Sequence, residues 1–106
     1  MPGDQGKIER GRNDLVTILE RARGGIRMKM VMKDQRMLLD AVDRVGESVA
    51  IWDVSGINSN LLRGKDDVRK ALRGRPVDMV LILNEFDAIE QEVNKLIPLM
   101  TKKKAH

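Results

Sequence analysis

The sequence contains no cysteine and no tyrosine, and its single histidine is the last residue, His106. Without cysteine the chain cannot form disulfides, iron–sulfur clusters or thiolate metal sites, and this favours a cytoplasmic location. A histidine base or ligand is not expected at a chain end, where fraying is common. Trp52 and Phe86 are the only aromatic residues, so few rings are available to stack on a ligand. No cofactor is therefore expected.

The chain has 106 residues, which is enough for one core. We predict a flexible N-terminal arm over residues 1–12, a single domain over residues 13–99 and a basic flexible tail over residues 100–106. No apolar run approaches the length of a membrane span, so we expect a soluble protein without a membrane partner. The net charge is +4, but the charges occur in blocks of alternating sign rather than on one basic face.

Three apolar segments predict β-strands. Residues 77–83, Val-Asp-Met-Val-Leu-Ile-Leu, form the most continuous apolar run, which lies between Pro76 and Asn84. A short run of branched residues between turn signals is typical of a strand buried on both faces. Residues 49–54 repeat this pattern. In residues 26–32 apolar and basic residues alternate, as in an edge strand, and a helix is the alternative for this segment.

Four further segments predict helices, because their apolar residues recur at spacings of three and four. These segments cover residues 13–23, 34–45, 60–73 and 85–97. Gly24-Gly25 and Gly46 are expected to end the first two helices, and Pro98 to end the last. Strands that alternate with helices imply right-handed crossovers and a parallel sheet. The predicted fold class is a small three-layer α/β sandwich, with about three mostly parallel strands covered by four helices.

Ligand sites in open α/β sheets lie at the carboxyl ends of the strands. Five polar residues follow the predicted strands and would meet there as a candidate ligand or anion site: Asp53, Ser55, Asn58, Asn84 and Glu85. Asp34, Asp53 and Glu85 carry the oxygen donors that Mg²⁺ prefers. Helix capping and turn formation explain the same side chains. We rank that explanation first, and we predict no metal site.

The densest basic cluster, a candidate nucleic-acid contact, consists of Arg63, Lys65, Arg69, Lys70, Arg73 and Arg75. Lys65, Arg69 and Arg73 are spaced by four residues, so they share a helix face that would follow a phosphate backbone. Recognition of single-stranded RNA uses aromatic platforms, which this chain lacks. A solvated helix face is the simpler interpretation of the cluster.

Methionines are dense in the predicted edge strand, where Met28, Met30 and Met32 share one face. Methionine adapts to irregular partners, and an edge strand can pair with a second chain. These three residues are therefore candidate interface residues. The alternative is that they cover the core below the first helix.

The strand over residues 49–54, the following Ser55-Gly56, a helix, a second strand and an acidic helix resemble the sulfate-transporter/anti-sigma-antagonist domain. That family carries a phosphorylatable serine in an Asp-Ser-Ser-Gly-like motif, where this sequence has Asn58-Ser59-Asn60 in a shorter loop. The resemblance covers little more than half of the chain. It implies an α/β fold without making the chain a member of the family.

The available nucleophiles and bases reduce to serine, threonine, lysine and carboxylates, and these residues form no catalytic pattern. We therefore predict a non-enzymatic interaction or regulatory module that engages a protein partner or itself. One alternative is a nucleic-acid-associated protein that binds the phosphate backbone through residues 63–75 and the tails. A second alternative is a small metal- or phosphate-dependent enzyme with its site at the strand ends.

Overall fold

Four α-helices joined by short connections make up the computed structural model of the protein, which describes the backbone of residues 2–29 and 32–104 and the side chains of residues 5–28 and 34–100. The helices are α1 (Pro2–Lys29), α2 (Met32–Ala50), α3 (Val54–Ala71) and α4 (Pro76–Lys104). They form a bundle of 49 × 21 × 19 Å. The described residues contain no strand. The predicted α/β sandwich is therefore wrong, and the protein is an all-helical bundle.

The helices run alternately up and down and pack as a square. α1 lies between α4 and α2, and α3 lies between α2 and α4, with the most extensive interfaces joining α1 to α4 and α2 to α3. Gly11 of α1 faces Leu96 of α4, and Gly25 faces Ile82. These two contacts show that α1 and α4 are antiparallel. The carboxyl end of α1 therefore lies beside the start of α4.

The core is formed by apolar side chains that recur at helical spacing on the inner face of each helix. Phe86 of α4 is its largest fully buried side chain. Gly64 of α3 faces that ring so closely that an added Cβ would lie 2.6 Å from Cε1. The buried cluster consists of Leu15, Ile18, Leu19, Ala22, Ile26, Leu38, Ala41, Val42, Val45, Val49, Ile57, Leu61, Val68, Leu72, Ile82, Phe86, Ile89, Val93 and Leu96.

Residues 77–83, predicted as a buried strand, form the first two turns of α4 instead. A short apolar run does not distinguish a strand from a helix by periodicity. No glycine or proline lies between Pro76 and Pro98, so the run continues without a break into the amphipathic segment that follows. Pro76 begins the helix, a position where the missing N–H of proline costs nothing. Asn84 lies inside α4.

The predicted edge strand over residues 26–32 is also wrong, because it lies where two helices meet. Residues 26–29 form the last turn of α1, and Met32 begins α2. Residues 30–31 lie outside the described part of the chain. The helical alternative, which rests on the helix propensity of methionine, lysine and arginine, is the one that the described residues adopt.

Three glycines that are predicted to end helices lie inside them. Gly24 and Gly25 belong to α1, and Gly46 belongs to α2. A Cβ added at Gly25 would lie 3.3 Å from Cδ1 of Ile82, and one at Gly46 would lie 3.7 Å from Cδ1 of Leu19. Glycine therefore permits a close approach of α4 to α1 at Gly25, whereas Gly46 has room for a Cβ at ordinary contact distance. In both cases the helix continues despite the low helix propensity of glycine.

The third predicted strand, residues 49–54, covers the end of α2, a tight turn and the first residue of α3. Trp52 in this turn has a φ of 52°, a left-handed conformation that few residues other than glycine adopt. The turn reverses the chain so that α3 packs back on α2. Without the strand, the resemblance to the sulfate-transporter/anti-sigma-antagonist domain has no structural basis.

Both ends of the chain are helical as far as the structure describes them. Residues 2–12, for which the sequence predicts an arm, belong to α1, and Ile8 among them is 5% exposed. α4 continues past Pro98 to Lys104, and residues 105–106 of the predicted tail lie outside the described residues. The predicted helices 13–23, 34–45 and 85–97 each lie within a longer observed helix, and 60–73 overlaps α3.

Candidate protein-interaction surface

The residues predicted to gather at the strand ends have separate roles in the helices. Asp53 is the N-cap of α3, where its carboxylate accepts a hydrogen bond of 3.1 Å from the N–H of Gly56. Ser55 and Asn58 are exposed on the first turns of α3. The prediction that Asp53, Ser55 and Asn58 would lie close to Asn84 and Glu85 required the edge of a sheet. Instead, Asp53 caps α3, and the other four residues lie on α3 and α4.

Glu85 lies in the middle of α4 and pairs with Arg21 of α1, with 2.5 Å between Oε2 and Nε. Asp34, the third predicted carboxylate, lies in the first turn of α2. Among the residues that the structure describes, no group of three or more acidic or histidine side chains could hold a metal ion. N-capping of α3 accounts for Asp53, and the ion pair with Arg21 accounts for Glu85.

Lys65, one member of the basic cluster, is neutralised by carboxylates of the neighbouring helix α4. Lys65 Nζ lies 2.7 Å from Asp87 and 3.4 Å from Glu90, and its side chain is 14% exposed. The hydrogen bond to Asp87, together with the charges of both carboxylates, raises the pKa of Lys65 against the opposing effect of burial. This ammonium group therefore joins α3 to α4 and is held away from an external phosphate.

Two more cations of the cluster form local ion pairs, Lys70 with Asp66 at 3.2 Å and Arg75 with Asp78 at 2.5 Å. Three arginines are different: Arg63, Arg69 and Arg73. All three are exposed, and none has an ion pair among the described residues. The predicted nucleic-acid cluster is thus divided into a paired half and an unpaired half.

The candidate interface methionines are only partly described. Met28 lies in the last turn of α1 and is 88% exposed. Met30 lies outside the described residues, and Met32 begins α2 with a side chain that the structure does not describe. Because α1 and α4 are antiparallel, Met28 projects near the start of α4.

The start of α4 exposes three branched apolar side chains, which we call the α4 stripe: Val77, Val80 and Leu81. Their exposed fractions are 72%, 55% and 43%. Together with Pro76 they line a shallow apolar depression. Their spacing of three and four residues places them on one face of the helix, turned away from the core. Single exposed apolar residues are common on proteins, but this group is contiguous.

The sequence contained a signal for the α4 stripe that the strand prediction obscured. Residues 77–83 are apolar on almost every side, and only one side of a helix can face the core of its own bundle. A helix that is apolar all round is normally covered on all sides. Ile82 is 2% exposed and Met79 and Leu83 pack against the core. The other apolar residues of the run, Val77, Val80 and Leu81, face outward. Assigning a helix would have predicted this surface.

Two ion pairs lie on either side of the stripe along α4. Arg75 and Asp78 pair at the first turn of α4, and Arg21 and Glu85 connect α1 to α4 just beyond Leu81. In each pair the positive charge of the arginine is balanced by the carboxylate. The stripe is therefore a small apolar surface between two ion pairs, one of which joins α4 to α1.

No helix among the described residues is long and apolar enough to cross a membrane. Comparison of the chain with protein families, with curated proteins and with solved structures finds no match.

Proposed function

We propose that the protein is a non-enzymatic helical interaction module that binds a protein partner through the α4 stripe. One observation carries this proposal: Val77, Val80 and Leu81 are exposed side by side, whereas every other large apolar side chain described in α4 is buried or half-buried. The cytoplasmic location that the absence of cysteine favours is part of the same proposal.

Apolar surface exposed to water is thermodynamically unfavourable. Each square ångström of apolar surface removed from water stabilises a complex by roughly 25 cal/mol. Contiguous exposed apolar groups on a soluble protein commonly mark an interaction site. The stripe is presented at the i, i+3, i+4 spacing with which helices pack together. Its helix is anchored by Phe86 below, so the surface is formed before any partner arrives.

The test is a titration of the amide spectrum with a designed amphipathic helical peptide, which has leucines on one face and glutamines elsewhere. We expect shifts centred on residues 76–84. Val80→Asp should abolish them, because a carboxylate would have to be desolvated in the interface. Val16→Asp is the matched control, since Val16 on α1 has the same exposed fraction as Val80, 55%. Shifts that survive Val80→Asp unchanged would reject the proposal.

Self-association is tested separately by light scattering across a range of concentrations. A dimer that Val80→Asp converts to a monomer would show that the stripe binds a second copy. A monomer at every concentration would restrict the proposal to a different protein as the partner.

A second candidate function is binding to a nucleic-acid backbone, because Arg63, Arg69 and Arg73 are exposed and have no ion pair in the described part of the chain. Each phosphate neutralised in duplex DNA should contribute about −0.9 to the slope of log affinity against log salt. Absence of binding to RNA and duplex DNA at low salt would dismiss this candidate. The enzyme alternative loses its premise, because the described residues contain no strand whose end could gather its residues.

A further inference from the structure

We propose that the α4 stripe receives an acidic amphipathic helix of a partner protein, with the apolar face of that helix on the stripe and its carboxylates toward Arg69 and Arg73. This inference rests on the proposed function and specifies the chemistry of the partner. It depends on where the unpaired positive charge of the bundle lies relative to the stripe.

The register of α3 against α4 locates that charge. Lys65 of α3 contacts Asp87 and Glu90 of α4. Arg69 and Arg73 follow Lys65 by one and two helical turns on nearly the same face. Because α4 runs the opposite way, one and two turns along α3 correspond to positions about four and seven residues before Asp87. Arg69 and Arg73 therefore lie level with the part of α4 that carries the stripe.

Acidic side chains near the stripe already have partners. Asp78 pairs with Arg75, Glu85 pairs with Arg21, and Asp87 pairs with Lys65. On the exposed face of α3, Asp66 pairs with Lys70. On the described part of α3 that lies level with the stripe, Arg69 and Arg73 are therefore exposed cations without a counterion.

This arrangement combines an apolar stripe with a cationic flank along one edge. A helix that presents apolar residues at i, i+3 and i+4, with glutamate or aspartate beside them, complements both parts at once. Arginine is well suited to this pairing, because its planar guanidinium group can bind a carboxylate through two hydrogen bonds.

A second copy of the same chain is a poorer match for this surface. An interface with two-fold symmetry would bring the same patch onto itself. Each copy would then add unpaired arginines to an interface that has no free carboxylate among the stripe's described neighbours to receive them. The chain also has a net charge of +4, which opposes self-association at low salt. Charge complementarity therefore selects an acidic partner.

The experiment compares two fluorescent peptides of about five helical turns. Both have leucines at i, i+3, i+4 and i+7; one has glutamates at the flanking positions, and its twin has glutamines. At low salt we expect the acidic peptide to bind full-length protein about tenfold more tightly than its twin. Raising the salt should reduce this difference, since exposed charges are screened.

The variant Arg69→Glu/Arg73→Glu should remove the preference for the acidic peptide while leaving the affinity for the glutamine twin unchanged. The control Arg10→Glu/Arg12→Glu makes the same charge change with two exposed arginines near the start of α1, and it should leave the preference intact. Circular dichroism melts of each variant confirm that the bundle is folded.

The possible results separate this inference from the proposed function. If the two peptides bind equally well and Arg69→Glu/Arg73→Glu changes nothing, the acidic partner is rejected. Loss of both peptides in Val80→Asp would then still support the stripe. If neither peptide binds the wild-type protein, both proposals fail.

Vesicles of phosphatidylcholine with and without phosphatidylserine form the last arm, because an anionic lipid surface has related chemistry. If the phosphatidylserine vesicles bind, Val80→Asp and Arg69→Glu/Arg73→Glu both lose that binding, and the acidic peptide does not bind, the occupant is a lipid surface. That result would overturn the assignment of a protein helix.

Discussion

The inner and outer faces of α4 carry similar side chains in opposite surroundings. On the inner face Ile82 and Phe86 are almost fully buried, and Lys65 with its carboxylate partners closes the edge toward α3. On the outer face Val77 and Val80 are more than half exposed. Among the described residues, neighbouring helices cover the inner face and leave the outer face exposed. The burial of an apolar residue in a bundle therefore depends on its neighbours as well as on its own hydrophobicity.

The largest expected effect is the difference in the free energy of unfolding lost by substitutions on the two faces of α4. Phe86→Ala should lower the free energy of unfolding by about 3–5 kcal/mol, because it removes a buried ring and leaves a cavity. Val80→Ala on the outer face should change it by less than about 0.5 kcal/mol. Urea denaturation followed by circular dichroism measures both. Equal losses at the two positions would mean that the outer face is covered in solution.

A smaller effect is expected where α3 meets the inner face. Gly64→Val should destabilise the bundle by about 1–3 kcal/mol, since a side chain there would collide with the buried ring of Phe86. Gly24→Ala is the matched control on α1, where an added Cβ has nothing within 4 Å. It should stabilise the protein by about 0.5–1 kcal/mol through helix propensity. A gain in stability for Gly64→Val would show that the helices separate easily at this point.

The smallest effect concerns the ion pairs at the edge of the inner face, and it depends on pH. The pKa of Lys65 is raised in the folded protein, first through its hydrogen bond to Asp87. Its stabilising contribution is therefore fully present below the ordinary lysine pKa of about 10.5 and is lost as the pH rises through the folded-state value. The melting temperature of the wild type should fall more steeply above this pH than that of Lys65→Arg.

Lys65→Arg serves as a reference in that experiment, because the arginine guanidinium group stays protonated across the pH range. Lys70→Arg provides the same substitution at an exposed ion pair, where salt and solvent screen the interaction. Its profile should follow the wild type. Parallel profiles for wild type and Lys65→Arg would show that Lys65 contributes no pH-dependent stability.

Much of the core could be predicted from the sequence because its period is unambiguous. Leu15, Ile18, Leu19 and Ala22 form a helical stripe, and all four are buried. The inner face of α4 from Phe86 to Leu96 was predicted in the same way. In these segments polar residues separate the apolar ones at spacings of three and four. The apolar residues therefore form one face of a helix and would not form one face of a strand.

The fold class could not be predicted because its key segments lack such separation. Residues 77–83 have apolar side chains at six of seven positions, a pattern that fits a buried strand and the start of a helix equally well. Gly25 and Gly46 indicated breaks, but both lie inside helices, and at Gly25 the neighbouring α4 packs close to the backbone of α1. Contacts between helices determine the structure of these segments, and the periodicity of the sequence does not reveal those contacts.

The candidate sites were predicted from the wrong fold class, so the grouping of their residues was also partly wrong. The separation of Lys65 from Arg69 and Arg73 arises because α4 supplies carboxylates to the first and not to the others. These residues share a face in the sequence, and their electrostatic environments differ only once a neighbouring helix is in place. The α4 stripe was hidden for the same reason, since a strand prediction had already assigned its side chains to a core.

The pairing of α1 with α4 has a consequence for the order in which the chain acquires its structure. α2 and α3 are adjacent in sequence and can pack as soon as the turn at Trp52 has formed, with little loop entropy to overcome. α1 finds its main neighbour in the last helix, and their contacts join residues as far apart as Gly11 and Leu96. During synthesis, the side of α1 that packs on α4 must therefore wait until α4 has left the ribosome.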